Sequence, residues 1–279
     1  MQCSPYNRSK IRGCTTTSHT SCFFKDQLLA IARSLKIPNI TAKTSKQAMW
    51  DAINRAMYYR HNCADGDEYC WVDRHTEAAK YEESFVPLQP YEWKQNPSMW
   101  LSNFDILNVL NQYEQSHPSF KFLGVFPINF GQRDAVGRCI SEALCNIQLS
   151  KMKKKLRSFG AVFNLDRHDQ PGSHWVCVFF SLSEPNYGFY YFDSNAVSMP
   201  TQIREFSRSM CKQVKDKAFK IHENKKRKQF ENNECGMFCI HFIIQCINKV
   251  PFKQIVNSPF YDKDANAMRK EVFRLQTNR

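Results

Sequence analysis

QFENNECGMFCIHFIIQCI, residues 229–247, sets a polar loop against an almost wholly apolar run, with Cys235 and Gly236 at the junction. This pattern predicts a buried helix that begins at Cys235. A cysteine in a first helical turn meets the positive end of the helix dipole and free N–H groups, which favour thiolate over thiol. Upstream, Gly172-Ser173-His174-Trp175 opens a strand-like segment and Tyr191-Phe192-Asp193-Ser194 closes another. In the order His, Asp, Cys, the chain therefore offers a base, a group to orient it and a nucleophile.

The spacing of His174 and Asp193 can be tested by counting. Their segments flank Ser181–Gly188, whose Glu-Pro-Asn-Tyr-Gly composition is that of a turn. If the flanking strands form an antiparallel hairpin, His174 and Asp193 fall within two positions of facing each other. That makes them direct or diagonal neighbours, roughly 5–8 Å apart at their reference carbons. An aspartate so placed holds the imidazole in one tautomer and stabilises its cation.

Other candidates for the chemistry are weaker. His241 lies about 240° round the helix from Cys235 at 3.6 residues per turn, so it points away. Cys239 and Cys246 fall inside the helix, where a thiol is buried and inert, and His168 and His222 lack an acid aligned on a neighbouring strand. A phosphatase-type C-x5-R loop is excluded, because the sixth residue after Cys235 is His241. Acyl transfer also needs donors for an oxyanion. The amide of Gln229, six residues before Cys235, and the Cys235 backbone N–H are the candidates.

Around this centre the pattern reads as α+β. Residues 22–60 predict two amphipathic helices. One is capped by Ser21, carries Leu28, Leu29, Ile31, Ala32 and Leu35, and ends at Lys36-Ile37-Pro38. The second follows Thr44-Ser45 with Ala48, Met49, Ala52, Ile53 and Ala56. Together they weakly resemble a SAP-type nucleic-acid-binding hairpin, although a packing or docking arm is the stronger reading. Residues 74–96, charged and punctuated by proline, read as a connection, so the expected division is a helical arm at 1–90 and a second domain at 91–279. In the latter, Trp100-Leu101-Ser102-Asn103 heads a helix. Strands are expected at 120–126, 159–165, 174–180, 187–193 and 218–222, and helices near 140–157 and at 203–214. Strands in the middle with helices at both ends indicate an α+β domain.

Composition narrows the class. Hydrophobic residues make up 42% and aromatics 14% of 279 residues, enough for a substantial core and against wholesale disorder. The opening MQCSPYNRSKIRGC is polar and basic with no apolar stretch, so secretion is not expected. The apolar run from Phe238 to Ile247 is about ten residues, short of the ~20 that span a membrane. Twelve cysteines scattered along such a chain predict reduced thiols rather than a disulfide scaffold. Cys63 and Cys70, with His61 and His75 nearby, match no familiar zinc spacing, and no metal site is expected. The net charge of +13 gathers partly in Lys151–Arg157 and Lys225–Lys228. Such runs read first as solvated faces, then as nucleic-acid contacts; the second also looks like a nuclear-localisation patch.

His174-Trp175, Asp193, and Gln229-x5-Cys235-Gly236-Met237-Phe238 together resemble the SUMO-protease and adenovirus-proteinase superfamily of cysteine proteases, over roughly residues 98–247. The resemblance implies a papain-like, SUMO-protease-like domain with a central mixed sheet flanked by helices. It implies His174 as general base, Asp193 as its orienter, Cys235 as nucleophile and Gln229 as oxyanion donor. Trp175 matches the aromatic that borders a narrow Gly-Gly channel in that family, and Trp100-Leu101 resembles its Trp-Leu entry helix. Within the superfamily, the chain length, the helical arm with Cys-Phe-Phe-Lys-Asp-Gln-Leu and Glu234 before the nucleophile resemble the proteinases of large cytoplasmic DNA viruses, African swine fever virus type.

That likeness implies cleavage after Gly-Gly in viral core or polyprotein precursors during virion maturation, at assembly sites in the host cytoplasm and in the virion. No cofactor is expected, while a DNA or peptide activator stays open. Two alternatives remain. One is a deconjugase for SUMO or a ubiquitin-like tag, since both classes read Gly-Gly. The other is a nucleic-acid-binding virion protein that uses the basic charge.

Overall fold

A computed structural model describes residues 21–152 and 154–274. The basic opening of the chain and Lys153 lie outside these residues. The described residues form two compact units, 21–89 with 270–274, and 90–269. The sequence predicts a single break near 90. Residues 270–274 group instead with the first unit, where Arg274 and the 87–89 backbone exchange hydrogen bonds of 2.8 Å.

The first unit is helical, with α1 (Lys25–Ser34), α2 (Lys46–His61), α3 (Glu68–Arg74) and the single turn α4 (Thr76–Ala79). The cap position of α1 is Phe24 rather than Ser21, because the Gln27 side chain accepts the Phe24 N–H at 2.8 Å while Ser21 Oγ accepts from Phe23. Ser45 caps α2 as expected, accepting the Ala48 N–H at 3.1 Å. Phe23, Leu28, Ile31, Met49, Ile53, Met57, Trp71 and Phe85 are sealed in its core.

The second unit begins with α5 (Asn103–Ser116), opened by a reciprocal capping box between Ser102 and Asp105. Next come β1 (Phe120–Pro127), the turn α6 (Glu142–Cys145), β2 (Ser158–Asn164), β3 (Trp175–Ser181) and β4 (Gly188–Phe192). Helix α7 (Thr201–Val214), β5 (Ile221–Glu223), α8 (Cys235–Ile247), α9 (Phe252–Asn257) and α10 (Asp262–Val272) follow. The strands run in the order β1-β2-β3-β4-β5, parallel at both outer pairs and antiparallel within. The fold is α+β with a central mixed sheet flanked by helices.

Alternation along the strands decides what covers each face. Phe159, Ala161 and Phe163, with Val176, Val178, Phe180, Phe189 and Tyr191, meet Ile203, Phe206 and Met210 of α7. The opposite face receives α8, whose apolar residues surround the whole helix and are therefore buried on every side. Phe192 stacks on Phe242 at 4.7 Å and Cys177 points to the Cys239 carbonyl. Strand β3, buried along its whole length, reads accordingly as one continuous apolar run.

Three sequence expectations need correction. The helix expected near 140–157 is only α6 and a 3-10 turn at Leu149–Lys151. Lys151, Lys154 and Lys155 would stack like charges at three- and four-residue spacing on such a helix. The cysteines are not all thiols: Cys63 is bonded to Cys70 and Cys139 to Cys145. Left-handed Asn62 turns the chain back after α2, leaving the first pair with Cα atoms 5.6 Å apart. Finally, Lys225, Lys226 and Arg227 are exposed but Lys228 is buried. Its ammonium donates to the Ser258 carbonyl and lies 5.0 Å from the Tyr261 ring centre.

Candidate active site

Cys235 occupies the first position of α8 and is 1% exposed, behind Glu234 at the helix cap. The next residue must be small. A Cβ on Gly236 would stand 3.0 Å from Leu101 Cδ1 and 3.1 Å from Leu101 Cβ, closer than side chains normally approach. Glycine thus lets the segment before α5 close over the start of α8.

His174 and Asp193 lie just outside the paired strands, His174 before β3 and Asp193 after β4. The register has Ser181 opposite Gly188 and Cys177 opposite Phe192, as counted from the turn. Nε2 of His174 donates to Asp193 Oδ1 at 2.7 Å, and the Cys235 side chain lies close enough to the ring to raise its pKa. With Nε2 given to the carboxylate, Nδ1 is the nitrogen left for sulfur. Burial alone disfavours the imidazolium, but the bond to Asp193 and the influence of Cys235 outweigh it and push the His174 pKa up to about 10.

Asp193 is fully buried, and its oxygens are satisfied locally. Beside His174, Oδ1 accepts the Asn195 N–H at 2.8 Å and Oδ2 the Val197 N–H at 3.2 Å. Asn224 grips its backbone from β5's end: the Asp193 N–H donates to Asn224 Oδ1 at 2.9 Å, and Asn224 Nδ2 returns a 2.7 Å bond to the Asp193 carbonyl. No local pattern marks Asn224, which stands directly before the basic run.

Gln229 is 2% exposed rather than a solvated loop side chain. Its Oε1 accepts the Ser194 hydroxyl at 2.7 Å, and its Nε2 donates to the Glu231 carbonyl at 2.7 Å. The amide is therefore tied to the residue that follows Asp193.

Trp175 is buried, and its indole N–H donates to the Leu101 carbonyl at 3.0 Å. Trp100 is 41% exposed and donates to Asn233 Oδ1 at 3.2 Å, two residues before Cys235. Trp100 and Leu101 precede α5 instead of lying in an entry helix. Arg269, which the sequence does not single out, fastens the same corner. It bonds Glu234 Oε2 at 2.9 Å and the Met99 carbonyl at 2.8 Å, and lies 4.4 Å from the Trp93 ring centre.

The rival histidines and thiols weighed in the sequence are engaged elsewhere. His241 stacks on Phe260 at 3.6 Å, with its pKa lowered to about 4 by burial. His168 bonds Asn129, and His222 stacks on Tyr190. Burial pushes the thiols of Cys177, Cys239 and Cys246 up. Among the described residues no cluster of three or more His, Cys, Asp or Glu side chains is placed to hold a metal ion.

No family model matches the chain. It is 33% identical over 187 residues to an Acanthamoeba polyphaga mimivirus protein named as a thiol protease, a match covering 64% of this chain and 58% of that one. The chain thus spans less than two thirds of that relative. It is 25% identical over 190 residues to the SUMO-1 cysteine protease of African swine fever virus, covering 63% of this chain and 68% of that one. The crystal structure of the African swine fever virus protease superposes with a TM-score of 0.65 at 18% identity, covering 95% of each chain. In sequence the chain is similar to viral thiol and cysteine proteases, and in fold it is similar to the African swine fever virus protease.

Proposed function

We propose that the protein is a cysteine endopeptidase with Cys235 as nucleophile, His174 as general base and acid, Asp193 as orienter and Gln229 as oxyanion donor. The observation that carries this reading is a single imidazole bonded to a buried carboxylate, with its pKa also raised by the first cysteine of a helix. The viral thiol proteases among its relatives give it further support.

In this mechanism His174 holds the proton taken from Cys235, and the sulfur attacks the scissile carbonyl carbon. The oxyanion accepts N–H bonds from Gln229 and the Cys235 backbone. His174 then protonates the departing amine, leaving a thioester on Cys235. Water, deprotonated by His174, attacks the thioester, and collapse releases the acid and restores the thiol.

For substrate, the reading is cleavage after Gly-Gly in viral structural precursors during virion maturation, in the virion and at cytoplasmic assembly sites. Trp175 and Trp100 would border the narrow channel for glycine. A relative named as a SUMO-1 cysteine protease favours a second reading, removal of a folded ubiquitin-like modifier. The test is cleavage of an unstructured Gly-Gly-Xaa peptide against a folded SUMO or ubiquitin fusion, with Cys235→Ala as control and duplex DNA present or absent. Efficient peptide cleavage with little fusion cleavage is expected. Strong preference for the fusion would establish the second reading, and equal cleavage by Cys235→Ala would end both. DNA stimulation would establish nucleic acid as an activator of the protein.

A further inference from the structure

Gln229 can serve an oxyanion only if its amide is held with nitrogen toward the reacting carbonyl. An amide side chain has two nearly isosteric ends, one donating and one accepting, so its direction has to be imposed by neighbours. Here the neighbours sit on two segments. The Glu231 carbonyl takes one of the two Nε2 hydrogens at 2.7 Å, and the Ser194 hydroxyl donates to Oε1 at 2.7 Å. Reversing the amide would set Oε1 against the Glu231 carbonyl. One amide hydrogen remains uncommitted to either of these partners.

Ser194 does more than supply a hydroxyl. Its carbonyl accepts the Lys228 N–H at 2.7 Å and the Gln229 N–H at 3.0 Å, which pins the loop in front of the amide. Both Ser194 and Gln229 are almost fully buried, at 1% and 2% exposure. Ser194 is covalently next to Asp193, which bonds His174. A single residue thus joins the carboxylate end of the hydrogen-bond chain to the loop that carries the amide.

We propose that Ser194 is a positioning residue for the oxyanion donor, anchoring through its hydroxyl the Gln229 amide whose direction the Glu231 carbonyl sets. The inference rests on the acyl-transfer reading of the site. The Ser194 hydroxyl is spent on Gln229 Oε1, so its effect on catalysis passes through that amide.

Ser194→Ala removes one oxygen and leaves Gln229 Oε1 without this donor. Outright loss of an oxyanion-hole donor costs about 10²–10³ in kcat. A loosened donor should cost less, about tenfold in kcat with KM within about twofold, because ground-state binding is untouched. Alkylation of Cys235 by iodoacetamide has no oxyanion to stabilise. Its rate and pH profile, followed on the Cys235 peptide by mass spectrometry, should match wild type and at the same time report an intact site.

The experiment compares wild type, Ser194→Ala, Gln229→Ala and the double variant on the Gly-Gly-Xaa peptide. Expected is a kcat loss in Ser194→Ala that disappears when Gln229 is already alanine. Wild-type kcat in Ser194→Ala, or the same loss persisting beside Gln229→Ala, would overturn the role. A shifted alkylation profile would do so as well, by placing the effect on the His174–Cys235 pair. Cleavage retained by Cys235→Ala would instead bring down the protease reading itself, and this inference with it.

Discussion

At the scale of single residues, the chemistry turns on how tightly His174 holds its proton. Asp193 is the largest of the influences that raise its pKa, and Cys235 is the next. Asp193→Asn removes the negative charge, so the imidazolium should be lost at lower pH. The alkaline limb of the kcat/KM profile is expected to move down by about one to two pH units, with a lower plateau. An unmoved limb would mean that another group sets it. The same linkage acts on folding. The proton is held more tightly in the folded chain, so its stabilising contribution is complete below the ordinary value of 6.5 and is lost as pH rises toward about 10. Cys239, one turn along α8 from Cys235, is a contrasting case: buried, with its thiol pKa pushed up. Cys239→Ala should leave turnover near wild type and cost roughly 1–2 kcal/mol of packing, read by denaturant unfolding.

At the scale of elements, α8 and the β3–β4 hairpin carry the site, and both are strongly patterned in the chain. Apolar content on every side makes α8 a buried helix, and its polar preceding loop marks the start. The hairpin register follows from turn composition and the two-residue period of strands, which is why His174 and Asp193 can be placed as neighbours by counting. The turn α6 is different, since nothing periodic supports it and the lysines after it oppose a helix. How closely α8 meets the segment before α5 is a matter of contact. Gly236→Ala would drive a methyl into Leu101, so a loss of about 1–3 kcal/mol in unfolding free energy is expected. Activity should fall with it, because the displaced segment carries Trp100 and its bond to Asn233. Unchanged stability and turnover would show that the segment gives way freely.

At the scale of the whole molecule, residues far apart in the chain close the corner around Cys235. Arg269 and Glu234 form an ion pair with both side chains below 5% exposure. Such a pair is costly to break because the surviving charge stays buried. Arg269→Met is therefore expected to destabilise by about 3–5 kcal/mol in denaturant unfolding. A midpoint equal to wild type would show that Glu234 finds another partner or water.

The sequence by itself determined the α+β class, most of the strands, the buried helix that presents Cys235, and the near-registry of His174 with Asp193. These depend on periodicity, turn chemistry and capping, which act over a few residues. Only the tertiary structure decided which imidazole nitrogen meets Asp193, that Gln229 is held by Ser194, that Glu234 is paired with Arg269, and that Lys228 is buried in an otherwise exposed basic run. The two pairs each join residues 35 positions apart. Contacts at that separation form only when packing brings their elements together, and no local pattern encodes them.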